Sequence, residues 1–506
     1  MKPLQTDDFV TRDRGSAAPS VVRDDVEAVN RKTTRQLYAG RAHIHPRRAH
    51  GTFRTVKWAV MAVTLGIYYV LPWLRWNRGP DLPDQAVLLD LEHNRYFFFF
   101  LEIWPQEFYF VTGLLIVAAL GLFLFTAVAG RVWCGYACPQ TVWTDLMIAV
   151  ERFWQGDRNE RLRLDKEPWG AAKLARKMMT HASWLLIGLA TGGAFVFYFR
   201  DAPTLARELA TGAAPQTAYV FLALFTLTTY VLGGLAREQV CIYMCPWPRI
   251  QGAMTDRHTL LIGYRPERGE PRGPHKKGEP WTGRGDCVDC NACVAVCPTG
   301  IDIRDGSQLE CIQCALCIDA CNEIMTRVGR PPNLIAYDTV AKQEAASAGY
   351  HEPFRPVRAR TLLYAGLLVF VSIVMLEAWL NRALVELNVL HDRNPPYVTL
   401  TDGGVRNAYT VKLLNKHQEP RSFTLETEGL PGAQIEVAGG EAGEVRHLRV
   451  PADDVREVRV LVRLPADNVA KLNAHSAPVA IVLGDAKSGT KIRRVSQFLM
   501  PQGGKS

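Results

Sequence analysis

The sequence predicts a multi-domain membrane protein, with an α-helical transmembrane bundle of about five helices, a cysteine-rich insert and a C-terminal all-β sandwich. Three observations carry this prediction. Five apolar stretches contain no charged residue, all twelve cysteines lie between Cys134 and Cys321, and β-branched alternating runs fill the chain beyond about Tyr397. The averages alone, 48% apolar and 22% charged over 506 residues, are those of an ordinary globular protein and exclude a disordered chain. Twelve cysteines are too few for a disulfide scaffold at this length.

The uncharged stretches are Trp58 to Leu74, Phe108 to Gly130, Ala182 to Phe199, Ala218 to Ala236 and Thr361 to Leu376. At 16 to 23 residues they are near the ~20 needed to cross a hydrocarbon core. Trp58, Trp73, Trp76, Trp184, Tyr198 and Trp379 stand near their ends, as interfacial anchors do. Buried helices of a large soluble domain are the competing reading. The run 96-YFFFFLEIWP-105 is expected to be interfacial or re-entrant, not a sixth crossing. Residues 1–54 carry 11 Lys/Arg and residues 131–181 carry 9, against 3 in 75–107 and 2 in 200–217. Positive loops mark the cytoplasmic side, so the N-terminus and residues 237–360 are expected there and the C-terminal domain on the far side of the membrane. The expected domains are a polar, mobile cytoplasmic tail (1–54), a membrane domain with four helices (55–260), a cytoplasmic insert (261–360), a fifth helix (361–382) and the sandwich (383–506).

The insert contains 287-CVDCNACVAVCP-298, which reads C-x2-C-x2-C-x3-C-P, and a second copy at 311-CIQCALCIDACN-322. In such ferredoxin-like pairs three close thiolates hold one cluster and the fourth ligand comes from the other copy. Two [4Fe–4S] clusters are therefore expected, one on Cys287, Cys290, Cys293 and Cys321, the other on Cys311, Cys314, Cys317 and Cys297. Structural zinc sites would leave the third cysteine of each triplet and the crossed fourth one without a reason. The second copy has Asn322 where proline usually follows. The stretch 265–280, rich in Pro, Gly and charge, reads as a linker.

The remaining cysteines form two C-x3-C-P motifs, Cys134/Cys138 and Cys241/Cys245, which repeat at a spacing of 107 residues. Each follows an apolar stretch as it returns to the cytoplasm, so two crossings and a thiol pair form a repeated unit. Pro139 and Pro246 would interrupt a helix, which puts the pairs at a helix end or turn. Soft thiolates with the thioether of Met244 suit Cu(I). A redox dithiol, another metal or cluster site, and inert buried cysteines stay open as alternatives. The stretch 43-HIHPRRAH-50 has three His and reads as a metal candidate or, more simply, a basic approach to the membrane.

Beyond Tyr397, seven or eight short runs bounded by Gly, Pro, Asn and Asp predict an immunoglobulin-like antiparallel sandwich. No Rossmann glycine pattern, P-loop or Ser/His/Asp arrangement is apparent, and nothing suggests nucleic-acid binding.

This order of parts resembles the FixG/CcoG-like family, bacterial accessory proteins for assembly of cbb-type cytochrome oxidase. The resemblance rests on 134-CGYACP-139 and 241-CIYMCP-246 combined with the double cluster motif and the β tail. The membrane and cluster parts also look like the NapH/NosR-like electron-transfer proteins. The resemblance implies cupric reductase activity, with Cys134, Cys138, Cys241 and Cys245 as copper-associated, catalytic thiols and the eight insert cysteines as cluster ligands. It also implies a cytoplasmic electron donor, a copper transporter or chaperone, and oxidase assembly factors as partners, and leaves a homodimer open. The rivals are a quinol dehydrogenase or membrane electron conduit without copper chemistry, and a non-enzymatic assembly scaffold.

Overall fold

The computed structural model describes residues 21–30, 43–79, 82–276, 278–417, 419–440, 445, 447–472 and 475–501. Two compact units divide the chain, Met1–Met375 and Leu376–Ser506.

Among the described residues, five helices are long and apolar enough to cross a membrane: Thr52–Val70, Tyr109–Ala129, Ala171–Val196, Gln216–Thr229 with its π-helical extension Tyr230–Ala236, and Ala359–Leu380, the last of which runs past the end of the first unit. Their apolar side chains point largely outward. Leu115 is 65% exposed, Leu186 66% and Phe370 64%. Glycines set the closest helix contact. A Cβ on Gly188 would lie 2.8 Å from Thr226 O, and one on Gly192 2.8 Å from Leu222 O, so these small residues let the third and fourth long helices approach backbone to backbone.

The aromatic run at 96–105 is neither a crossing nor a re-entrant helix. Strands Val87–Asp90, Arg95–Phe98 and Leu101–Ile103 form an antiparallel sheet. A turn at Phe99 (φ 54°) leaves Phe100 exposed while Phe97 is buried, so period-two alternation outweighed bulk hydrophobicity.

The cysteine-rich insert is closed by strand Leu261–Tyr264 pairing with Ile335–Asp338. Residues 265–280 are not the expected linker. Gly273 N donates to Cys287 O (3.1 Å), Asp286 N to Arg268 O (3.0 Å), and His275 stacks on Trp281. Nor are the described parts of 1–54 a free tail. Asp24 N donates to Cys290 O (2.9 Å), Asn30 N to Gly300 O (3.1 Å) and Arg47 N to Ala295 O (2.7 Å), which straps the segment along the insert. Val21, Val26 and Ala28 pack on its core. Residues 1–20 and 31–42 of that expected tail lie outside the described residues.

The second unit is a two-sheet sandwich. One sheet orders Gln434–Val437, Asp454–Leu464, Val405–Asn415 and Val385–His391, with Val398–Thr399 beside Val405–Asn415. The other orders Leu448–Val450, Arg421–Glu428, Ser476–Asp485 and Lys491–Leu499. Alternate residues Val405, Tyr409, Val411 and Leu413 are fully buried between the sheets. Strand Val385–His391 lies inside the expected bounds 383–506, but the alternating runs in the sequence begin only beyond Tyr397, because this strand follows directly on the apolar fifth helix.

Candidate iron–sulfur and thiol site

The two cysteine motifs fold alike. Asp289 (φ 51°) and Asn291 (φ 56°) in the first copy, and Gln313 (φ 56°) and Ala315 (φ 61°) in the second, hold the same left-handed positions around the middle cysteine. Each costs on the order of 1 kcal/mol for a non-glycine residue. The resulting turns aim three sulfurs inward before a helix begins at Ala292 or Leu316. Pro298 cuts the first helix to Ala292–Ala295, whereas Asn322 lets the second run from Leu316 to Arg327 and accepts a hydrogen bond from Asn333 N (2.7 Å).

Four of the eight insert thiols, those of Cys287, Cys293, Cys314 and Cys321, are buried and the rest are half-buried. Cys321 feels Cys287 and Cys290, and Cys293 feels Cys321. On the other side Cys317 feels Cys314, Cys311 and Cys297 first, and after them Cys293 of the first set. Burial, then mutual repulsion, pushes the thiols of Cys311 and Cys321 up to about 12. Such a set does not ionise alone. It fits a polynuclear cationic centre that replaces the protons, so the donor chemistry suits iron–sulfur ligation.

The membrane-proximal pairs sit at helix ends, as their prolines require. Cys134 lies in the short helix Val132–Tyr136, and Cys138 is the N-cap of helix Pro139–Gln155. Cys241 lies in the π-helical turn Val240–Met244, which Cys245 ends before helix Trp247–Met254. The repeat extends to the backbone. Gly130 (φ 65°, ψ −126°) and Arg237 (φ 45°, ψ −113°), one repeat apart, adopt the same left-handed conformation where each long helix ends. Cys134 Sγ donates to Gln251 Oε1 (3.3 Å), which joins the first pair to the helix following the second. Burial, Cys138 and Cys245 raise the Cys134 thiol to about 11. Burial with Cys138, Cys134 and Cys245 raises Cys241 to about 12. All four sulfurs therefore share one neighbourhood. Met244 is 63% exposed beside them.

This thiol group abuts the second cysteine motif. A Cβ on Gly135 would lie 2.7 Å from Ile312 O and 2.9 Å from Cys314 N, so only glycine permits the contact. Arg131, nearly buried, donates through Nη1 to Leu309 O and through Nη2 to Pro248 O (2.5 Å), and its backbone N–H donates to Gln313 Oε1 (2.6 Å). One side chain thus bridges the first thiol helix, the cluster loop and the second thiol motif. Cys241 shares a small cavity with Pro298, Thr299 and Ile312, which are neighbours of Cys297 and Cys311. Sequence reading missed Gly135, Arg131 and Gln251, whose only signal was their position inside or beside the C-x3-C-P repeat. The insert is also tied to the first long helix, since Asp319 accepts from Phe53 N (3.2 Å) and Arg54 N (2.7 Å) at its first turn.

In the histidine stretch, a ring nitrogen of His43, one of His45 and a carboxylate oxygen of Glu151 lie within 4.8 Å of one another. Glu151 Oε2 is taken by Arg161 (2.9 Å) and Arg237 (3.0 Å). Burial pushes the Glu151 carboxyl up, but His43 and the two guanidiniums outweigh it and hold it below the usual range. The surroundings are cationic, and the group acts as an ion-pair clamp on the N-terminal segment.

The fold and the site define an iron–sulfur redox protein with long apolar helices, of the electron-transfer kind. Family models match as a "4Fe-4S dicluster domain" over 236–340, a "4Fe-4S binding domain" over 111–155, and an "IG-like fold at C-terminal of FixG" over 375–501. The chain belongs to the FixG family. It is 52% identical over 483 residues to "Nitrogen fixation protein FixG" of Rhizobium meliloti (89% of this chain, 92% of that protein). It is 50% identical over 469 residues to "Protein RdxB" of Cereibacter sphaeroides (92% and 98%). The crystal structure of a FixG-related protein from Vibrio parahaemolyticus aligns at 22% identity and TM-score 0.20, covering 23% of this chain and 97% of that one.

Proposed function

We propose that this protein is an electron conduit of the bacterial inner membrane that takes single electrons from a cytoplasmic donor and delivers them to an acceptor at the thiols of Cys134, Cys138, Cys241 and Cys245. The observation that carries the reading is the contact of Gly135 with Ile312 O and Cys314 N, which brings the thiol group against the second cysteine motif. Two [4Fe–4S] clusters, one held by Cys287, Cys290, Cys293 and Cys321 and one by Cys311, Cys314, Cys317 and Cys297, would supply one-electron carriers there. Arg131 fixes the thiol helix to the cluster loop, and the exposed Cys245 and Met244 open the far side of the group to an incoming acceptor. Membrane insertion is supported by long helices whose apolar side chains face outward, since such surface is stable in lipid and not in water. The distribution of Lys and Arg supports cytoplasmic N-terminal and cluster parts, with the sandwich in the periplasm.

A second reading makes the acceptor Cu(II). The thiols of Cys134, Cys138, Cys241 and Cys245 with the Met244 thioether would supply soft donors that favour the Cu(I) product. One electron from the donor converts Cu(II) to Cu(I), for delivery to a copper chaperone or transporter serving cbb-type oxidase assembly.

The test uses the full-length protein, reduced anaerobically. Its reoxidation is followed after addition of Cu(II) or of a water-soluble quinone analogue. Stoichiometric Cu(I) formation that is lost in the C134S/C138S/C241S/C245S variant supports the copper reading, and transfer to the quinone alone supports a conduit without copper. No reoxidation by either acceptor would sink both. Iron content should be about eight per chain in both proteins. A fall in the variant would mean that the four thiols hold iron themselves.

A further inference from the structure

A cavity of about 450 Å³ lies where the first long helix begins, on the side the charge distribution marks as cytoplasmic. Arg48, His50, Arg54 and Arg152 line it with one carboxylate, Asp157, and with the aromatic side chains of Trp58 and Phe153. The cations outnumber their partners. Arg54 is 7% exposed and spends Nη1 on Asp145 (2.9 Å to each oxygen), a carboxylate that also faces Lys57 at 3.8 Å. The Nη2 of Arg54 is buried without a hydrogen-bond partner. Arg152 has Asp157 at 3.7 Å, and Asp157 also accepts from Arg48 N (3.0 Å). Burial, then the neighbouring Arg161 and Arg54, holds the Arg152 guanidinium down to about 10. Arg48, Arg54 and Arg152 thus bring more positive charge to the cavity than Asp157 and Asp145 balance, and an anion in it would offset the excess.

The aromatic side chains show what carries the anion. Trp58 is 39% exposed and Phe153 77% exposed, so the basic side chains stand beside bare aromatic surface at the end of a membrane-type helix. Tryptophan and exposed aromatics at that level suit the headgroup region, with acyl chains alongside. We propose that this cavity binds the phosphodiester of an acidic phospholipid, with Arg48 and Arg152 on the phosphate and Trp58 and Phe153 against the glycerol and first acyl carbons. The proposal rests on the membrane reading above but on none of the redox chemistry.

The experiment is native mass spectrometry of the full-length protein in neutral detergent, with phosphatidylglycerol and phosphatidylcholine added in equal amounts. The wild type should retain phosphatidylglycerol with about a fivefold or greater preference, the order expected for one lost basic contact near a lipid surface. Arg48→Gln, at an exposed position, should cut that preference severalfold, and the double variant Arg48→Gln/Arg152→Gln should abolish it. Unchanged iron content in each variant shows that the fold survives. Trp58→Leu, which keeps every charge, should weaken retention of both lipids without changing their ratio. Equal retention of the two lipids by the wild type overturns the proposal, as does a preference indifferent to Arg48→Gln. Displacement by millimolar inorganic phosphate without lipid preference overturns it too, and would assign the cavity to a soluble phosphate. A chain that stays monodisperse without detergent would instead overturn the membrane reading, whereas loss of lipid preference alone leaves that reading and the electron-transfer test untouched.

Discussion

The two C-x3-C-P halves repeat each other at 107 residues and yet face different surroundings. In the first half, Gly135 lets the thiol helix lie directly on Ile312 and Cys314. In the second, the equivalent position is Ile242, and the turn carries exposed Met244 and Cys245. Where the first half ends its long helix on Gly130, packed against Leu260 O and Gln313, the second ends on Arg237, a fully buried cation paired with Glu151. One duplicated unit thus gives a half whose backbone lies directly on the cysteine insert and a half whose last thiol stays exposed. Two glycines on one side and a buried charge with an open thiol on the other are enough to make that difference.

The largest expected effect comes from removing the counter-charge of the second half. Glu151→Leu leaves Arg161 and Arg237 buried and unpaired, which should destabilise the protein by about 3–5 kcal/mol, read as a fall in midpoint by thermal or denaturant unfolding. Wild-type stability should also depend on acid through this residue. The Glu151 carboxyl is held below its ordinary value of 4.5 in the folded state, so its contribution is complete above that pH and declines as pH falls below it. A conservative Glu151→Gln variant should lose that part of the acid dependence. An unfolding profile identical to wild type would show that Arg237 is satisfied some other way.

Next in size is Gly135→Ala in the first half. The new methyl group must displace the backbone at Cys314, at about 1–3 kcal/mol for an overpacked contact, and iron bound by the second motif should fall selectively. The mirror-image change, Ile242→Ala, should leave iron content intact, and equal iron loss from both would erase the distinction between the halves. Met244→Ala should be the mildest. It lies on the exposed side, so stability should change by no more than about 0.5 kcal/mol, and only affinity for a soft metal at the thiols should drop. If Met244→Ala lowered iron content, the second half would have to touch the insert as the first does.

How much of this was legible in the residues varies by element. The cysteine motifs were readable because ligation fixes the spacing of sulfurs along the chain, and the long helices because lipid-length apolar runs are rare by chance. Ends of helices at Pro139 and Pro246 followed from the missing amide hydrogen of proline. Less visible were the contacts made across long separations. Arg131 stands in the sequence just after an apolar stretch, while its partners lie at Pro248, Leu309 and Gln313. Residues 265–280 looked like a linker because Pro, Gly and charge also suit a segment folded against a cysteine loop. In the run at 96–105 the aromatic density masks a two-residue alternation, so the strands there were not legible.

The sequence by itself determined the division into apolar helices, a doubled cysteine motif and a β-sandwich, since each depends on local period or spacing. Only the tertiary structure decided that the two thiol pairs converge and that one of them lies on the cluster loop. Those facts depend on which backbones can approach to van der Waals distance, and that is governed by a missing Cβ at Gly135, more than a hundred residues from the loop it touches.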